Sequence, residues 1–124
     1  RGFCTGRIIA VFGCGGDRDP YKRPVMGKIA AELSDLAIVT SDNPRTEDPY
    51  KILRQILAGM QDTETPYEVI ESRVSAIGRA MELAQKDDVI VLCGKGHETY
   101  QEVGHEKHHL DEREVVASYL EANA

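Results

Sequence analysis

Three stretches of this sequence, 13–23, 41–48 and 94–101, gather the residues best suited to hold a small charged molecule. The cations Arg18, Lys22, Arg23, Arg45 and Lys95 share them with the acids Asp17, Asp42 and Glu98. An arginine presents a rigid planar fork that matches a carboxylate bidentately, and an Asp or Glu carboxylate accepts from an ammonium. Mixed charge of this kind suits a small zwitterion. Solvated loop charges with no ligand have the same composition, so charge by itself leaves both readings open.

Other chemistries fit these residues less well. Gly13-Cys14-Gly15-Gly16-Asp17-Arg18 approximates a dinucleotide fingerprint, but Arg18 stands where a third glycine must let the helix pack close to the strand. Neither Gly27-Lys28-Ile29 nor Gly94-Lys95-Gly96 completes a phosphate loop, which needs Gly-Lys followed by Ser or Thr. His105-Glu106-Lys107-His108-His109 matches the H-E-x-x-H zinc pattern, whose logic requires a helix to place both histidines on one face. Gly104 before it and an expected helix cap at Asp111 after it leave no room for that helix, so a solvated polar loop and no metal site are expected. Cys4, Cys14 and Cys93 are odd in number and lack CxxC spacing, which suggests neither a disulfide framework nor a zinc ribbon. Cys14 and Cys93 read as small buried residues at strand ends rather than nucleophiles. No Ser/His/Asp or Cys/His arrangement is defined by spacing, and no catalytic residue is assigned.

The elements that must position these stretches follow from hydrophobic periodicity. Residues 8–12 form a short apolar run that enters the glycine-rich loop, and 36–40 and 89–93 repeat the pattern, with 67–70 a weaker version. Between them, Val25, Ile29, Ala30 and Leu33 fall on one helical face, as do Ile52, Leu53, Ile56, Leu57 and Met60. Val74, Ile77, Ala80, Met81 and Ala84 form a third face, preceded by Ser72 as a cap. Residues 94–110 read as a polar loop with a short hairpin at Gly104, before a last helix in which Asp111 and Glu114 fit a capping box. Buried strands alternating with helices predict an α/β, Rossmann-like three-layer domain, its mostly parallel sheet covered by helices on both faces. In such sheets the ligand site lies beyond the carboxyl ends of the strands, where all three charged stretches fall.

Length and composition bound the partners. A chain of 124 residues holds one core, so residues 1–124 are expected to form a single domain. The net charge of -6 and the lack of a basic cluster argue against nucleic acid. No apolar run approaches the roughly 20 residues that cross a bilayer, and the cysteine usage fits a reducing cytoplasm. The opening Arg1-Gly2-Phe3 has no Met start or targeting segment and reads as part of something longer.

Four motifs occur in order at the expected strand ends and helix starts: Gly-Cys-Gly-Gly-Asp-Arg-Asp at 13–19, Lys-Arg-Pro-Val-Met-Gly at 22–27, Asp-Asn-Pro-Arg at 42–45 and Gly-Lys-Gly-His-Glu at 94–98. Together they resemble the C-terminal domain of the diaminopimelate-adding, MurE-type Mur ligases, over nearly the whole chain. In that family Asp-Asn-Pro-Arg separates diaminopimelate adders from lysine adders. The resemblance implies a three-domain, ATP-dependent ligase of peptidoglycan biosynthesis that joins meso-diaminopimelate to UDP-MurNAc-L-Ala-D-Glu through an acyl phosphate. It implies that ATP and Mg2+ bind mainly outside this chain, that the UDP-sugar substrate is held largely by other domains, and that the fragment alone is inactive. The family's substrate contacts fall on Arg18, Asp42, Asn43, Pro44, Arg45, Gly94 and Glu98. Arg45 is assigned the distal carboxylate that lysine lacks, Asp42 and Glu98 the distal ammonium, Asn43 a neutral amide and Gly94 a close backbone approach. Pro44 stiffens the turn. Lys95 could face phosphate or solvent and is unassigned. A non-catalytic binding module of the same fold, and a related Mur or folyl-polyglutamate ligase with another substrate, are the alternatives.

Overall fold

A computed structural model describes residues 6–16, 19–93, 100–103, 106–110 and 112–122. The elements run β1 (Ile8–Phe12), α1 (Lys22–Leu33), β2 (Leu36–Val39), α2 (Pro49–Ala58), β3 (Tyr67–Val69), α3 (Arg73–Leu83), β4 (Val89–Leu92), β5 (Tyr100–Val103), β6 (Glu106–His109) and α4 (Glu112–Ala122). The first four strands make one parallel sheet in the order β3-β2-β1-β4, and β5 pairs antiparallel with β6 in a separate ribbon. This is the α/β architecture expected from the alternation of runs. The expected hairpin at Gly104 exists as β5–β6. Residues 106–109 are strand, so the helix that the H-E-x-x-H zinc reading needs is absent.

Alternating side chains of the inner strands feed two cores. Phe12, Ala37 and Val39 meet Ala31 of α1 and Ile52, Leu53, Ile56 and Met60 of α2 and the turn after it. Ile9, Val11, Leu36 and Ile38 meet Ala76, Ile77 and Ala80 of α3, with Val115 and Val116 of α4 packed alongside. A strand covered on both faces has no reason to alternate polar with apolar, which is why β1 and β2 read as unbroken apolar runs.

Helix α2 buries the face expected of it. Asp48 caps it, accepting from the Tyr50 N–H at 3.0 Å, and Pro49 occupies the first turn. Ser72 caps α3 as expected, its hydroxyl accepting from the Ser75 N–H. Helix α1 departs from expectation. Val25, Ile29 and Leu33 are 55%, 45% and 67% exposed, and the buried residues are Arg23, Gly27 and Ala31. The reason is close approach: a Cβ on Gly27 would lie 2.4 Å from the Ile56 carbonyl oxygen, and one on Gly59 would lie 1.8 Å from the Pro24 oxygen. Small residues let the α1 and α2 backbones touch, and a stripe of Gly and Ala carries no hydrophobic period. The expected apolar face of α1 instead borders an open groove of about 550 Å³, which Phe12, Met26, Ile29, Leu33 and Val91 help to line.

Candidate functional site at the strand tips

Because β1, β2 and β4 are parallel neighbours, their carboxyl ends open on one edge of the sheet. The Thr40 N–H donates to the Phe12 oxygen at 2.9 Å, and the Cys93 N–H to the Val11 oxygen at 2.9 Å, so the three tips stay in register up to the loops.

The first two loops dock backbone to backbone. The Gly16 N–H donates to the Asn43 oxygen at 2.6 Å, and Nη1 of Arg45 donates to the Gly16 oxygen at 3.0 Å and the Asn43 oxygen at 3.4 Å. A Cβ on Gly16 would sit 1.7 Å from the Pro44 oxygen, so only glycine permits this contact. Asn43 and Pro44 are buried, and Asp42 and Arg45 are half-buried. Arg45 has φ 52, a left-handed backbone that costs a residue bearing a Cβ roughly 1–2 kcal/mol. Such strain persists only where surrounding contacts hold it, and here the Gly16–Asn43 backbone bond, the close approach of Gly16 to Pro44 and the Arg45 side-chain bonds all bear on the turn. An open depression of about 490 Å³ beside this junction is lined by Gly13, Cys14, Asp19, Lys22 and Asp42, among others.

The sequence-expected residues divide accordingly. Asp42, Asn43, Pro44 and Arg45 form one turn against the 13–16 loop. Arg18, Gly94, Lys95 and Glu98 lie outside the described residues, as does the expected cap Asp111. Arg23, counted above among the loop cations, is 1% exposed and already committed. Its Nη1 and Nη2 donate to the two Glu47 carboxylate oxygens at 3.0 and 2.7 Å, while Nη2 also reaches the Gly15 oxygen at 2.9 Å and Nη1 reaches Gln55. It is a brace between the loops. Lys22 is exposed at the rim.

Arg73 was missed. It is 1% exposed, and its guanidinium donates to Glu112 of α4, to the Ser41 oxygen and to the Cys93 oxygen. A signal for Arg73 lies in the helix period, because 73, 76, 77 and 80 share the buried face of α3, whereas Arg23 shares the buried face of α1 with Gly27 and Ala31, which carry no apolar period to mark it. A charge in phase with a helix's buried stripe marks an inward ion pair.

Burial pushes the Cys14 thiol up to about 11, with the Arg23 charge working against the rise and Asp42 adding to it. Burial raises Cys93 as well. A raised pKa disfavours the thiolate that a nucleophilic role requires. The glycines of the 13–16 loop are used for packing. The Gly16 N–H is given to Asn43, and a Cβ on Gly13 would meet the Thr40 oxygen at 2.2 Å, so these glycines serve loop-to-loop contact.

The family model described as "Mur ligase, glutamate ligase domain" matches residues 1–96. A UDP-N-acetylmuramoyl-L-alanyl-D-glutamate–2,6-diaminopimelate ligase of Trichormus variabilis is 64% identical over 120 residues, which is 97% of this chain and 24% of that protein. The corresponding ligase of Clostridioides difficile is 55% identical over 118 residues, 95% of this chain and 24% of its own length. A solved structure of a ligase of the same name superposes with a TM-score of 0.92 at 42% identity, covering 97% of this chain and 25% of the other. The chain thus spans about a quarter of the length of the curated relatives it matches.

Proposed function

The chain belongs to the Mur ligase, glutamate ligase domain family, and from that premise we propose that residues 1–124 are the amino-acid-binding domain of a longer ATP-dependent ligase. The full-length protein would join meso-diaminopimelate to UDP-MurNAc-L-Ala-D-Glu in peptidoglycan biosynthesis. ATP, Mg2+ and the UDP-sugar would be held mainly by the parts of the protein beyond this chain, and the chain alone would not turn over. The relatives above are named as UDP-N-acetylmuramoyl-L-alanyl-D-glutamate–2,6-diaminopimelate ligases, which supports this reading.

One observation carries the reading to this chain's own residues: the 42–45 turn is clamped onto the 13–16 loop with Arg45 in a strained backbone conformation. A fold retains such strain where a side chain must point one way. In this proposal Arg45 takes the distal carboxylate of diaminopimelate and Asp42 its distal ammonium, with Arg18, Gly94 and Glu98 completing the pocket. Asn43, almost wholly buried, meets the ligand at the floor of the turn that Pro44 shapes. Lysine would leave the Arg45 charge without its carboxylate, a penalty larger than the lost contact.

The test is Arg45→Ala in the full-length enzyme. Loss of a charge-assisted contact of about 1.5–3 kcal/mol raises KM for diaminopimelate about 10- to 100-fold, with KM for ATP unmoved. An unchanged KM for diaminopimelate refutes the assignment.

A further inference from the structure

We propose that Arg73 is a positioning residue for the amino-acid site, a buried guanidinium that fixes the tips of β2 and β4 against each other. The inference rests on the amino-acid-site reading above and deepens it.

In the sheet, β1 lies between β2 and β4, so no ladder bond joins the two outer tips. Arg73 spans that gap from beneath. Its Nη1 donates to the Ser41 oxygen at 3.2 Å and its Nη2 to the Cys93 oxygen at 2.6 Å. Ser41 immediately precedes the 42–45 turn, and Cys93 immediately precedes Gly94. The third direction of the fork, Nε, donates to Glu112 Oε2 at 2.7 Å, which ties the first turn of α4 to the same point. The Arg73 side chain is fully buried, and Glu112 nearly so.

A charge is costly to bury, and a packing role alone is better filled by an apolar side chain of the same volume. What an apolar residue cannot do is hold two carbonyls at a set separation. The guanidinium plane fixes the angle between its donors, so the Ser41 and Cys93 oxygens are spaced by a rigid template. That template sets the distance between the start of the Asp42–Arg45 turn and the end of β4 at Cys93. Lysine, a point charge on a flexible stem, does not reproduce it.

The experiment uses the full-length ligase carrying Arg73→Lys and, separately, Glu112→Gln, with KM for meso-diaminopimelate and ATP, kcat, the preference for diaminopimelate over lysine, and Tm measured for each. Arg73→Lys is expected to raise KM for diaminopimelate about tenfold or more and to erode the preference over lysine, with KM for ATP and kcat within about twofold. Glu112→Gln keeps a neutral acceptor for Nε and is expected to shift the same parameters in the same direction by less. A folded Arg73→Lys enzyme with an unchanged KM for diaminopimelate overturns the inference. So does a uniform shift of kcat and both KM values, or the loss of folded protein in both variants, since either reduces Arg73 to support of the fold. If the unaltered enzyme joins a different amino acid, the substrate reading fails on its own, and the same variants assayed with that amino acid still decide the coupling.

Discussion

The backbone of Arg45 separates two contributions that a single substitution would merge. Arg45→Ala removes the bonds to Gly16 and Asn43 and keeps the strained φ of 52, whereas Arg45→Gly removes the same bonds and relieves the strain. The glycine variant is expected to be more stable than the alanine variant by about 1 kcal/mol in denaturant unfolding, while both lose the carboxylate fork. Equal stabilities would show that the turn relaxes once the side chain is gone. Cys14 gives a pH signature. Its thiol holds a proton to about 11 when folded, against an ordinary 9.0 in the unfolded chain. A raised pKa means that this contribution to stability is complete below 9.0 and is lost as pH climbs toward 11. The wild-type unfolding free energy should therefore fall faster across that window than that of Cys14→Ala. The sequence located the 42–45 turn because turn formers and loop charges are local signals. It could not show that Arg23 turns inward to Glu47, because that depends on which face of α1 meets α2.

The α1–α2 contact belongs to the scale of elements. Gly27 and Gly59 each face a backbone carbonyl of the partner segment, which cannot rotate away as a side-chain end could. Gly59→Ala is expected to cost about 3 kcal/mol or more, at or beyond the usual range for overpacking. Ile29→Lys and Leu33→Lys, on the face that periodicity marked as core, should change stability by no more than about 0.5 kcal/mol, and this is checked by comparing thermal unfolding of the three variants. The reversal of importance between apolar and small residues in α1 shows where sequence reading loses this fold. Hydrophobic spacing reports what water disfavours, and it is silent on how near two helix axes come. For α2 the same method worked, because Ile52 and Ile56 are both apolar and inward, and for α3 it worked in part: Ile77 and Ala80 are inward, but Val74, expected on the same face, is 48% exposed.

At the scale of the molecule, the start of β1 and the approach to β4 are joined by Arg7 and Asp88. The Asp88 carboxylate accepts from the Gln85 and Arg7 N–H groups and from the Arg7 guanidinium, which together hold it below the usual aspartate range. A lowered pKa places this stabilisation above the ordinary value, to be lost as pH falls through the lower folded value. Asp88→Asn should flatten the acid limb of a stability-against-pH curve; an identical limb would exclude Asp88 from it. The alternation of runs made the parallel sheet legible, whereas the order β3-β2-β1-β4 rests on pairings far apart in the chain. Arg7 and Asp88 stand 81 positions apart, so on a ribosome adding about 5–20 residues per second the inner strand β1 emerges roughly 4–16 s before its last neighbour, β4. Through that interval β1 can pair with β2 while its other side faces solvent or a chaperone. Synthesis order thus makes an inner strand of the finished sheet a temporary border, open to association with other nascent chains until Val89 and Ile90 arrive.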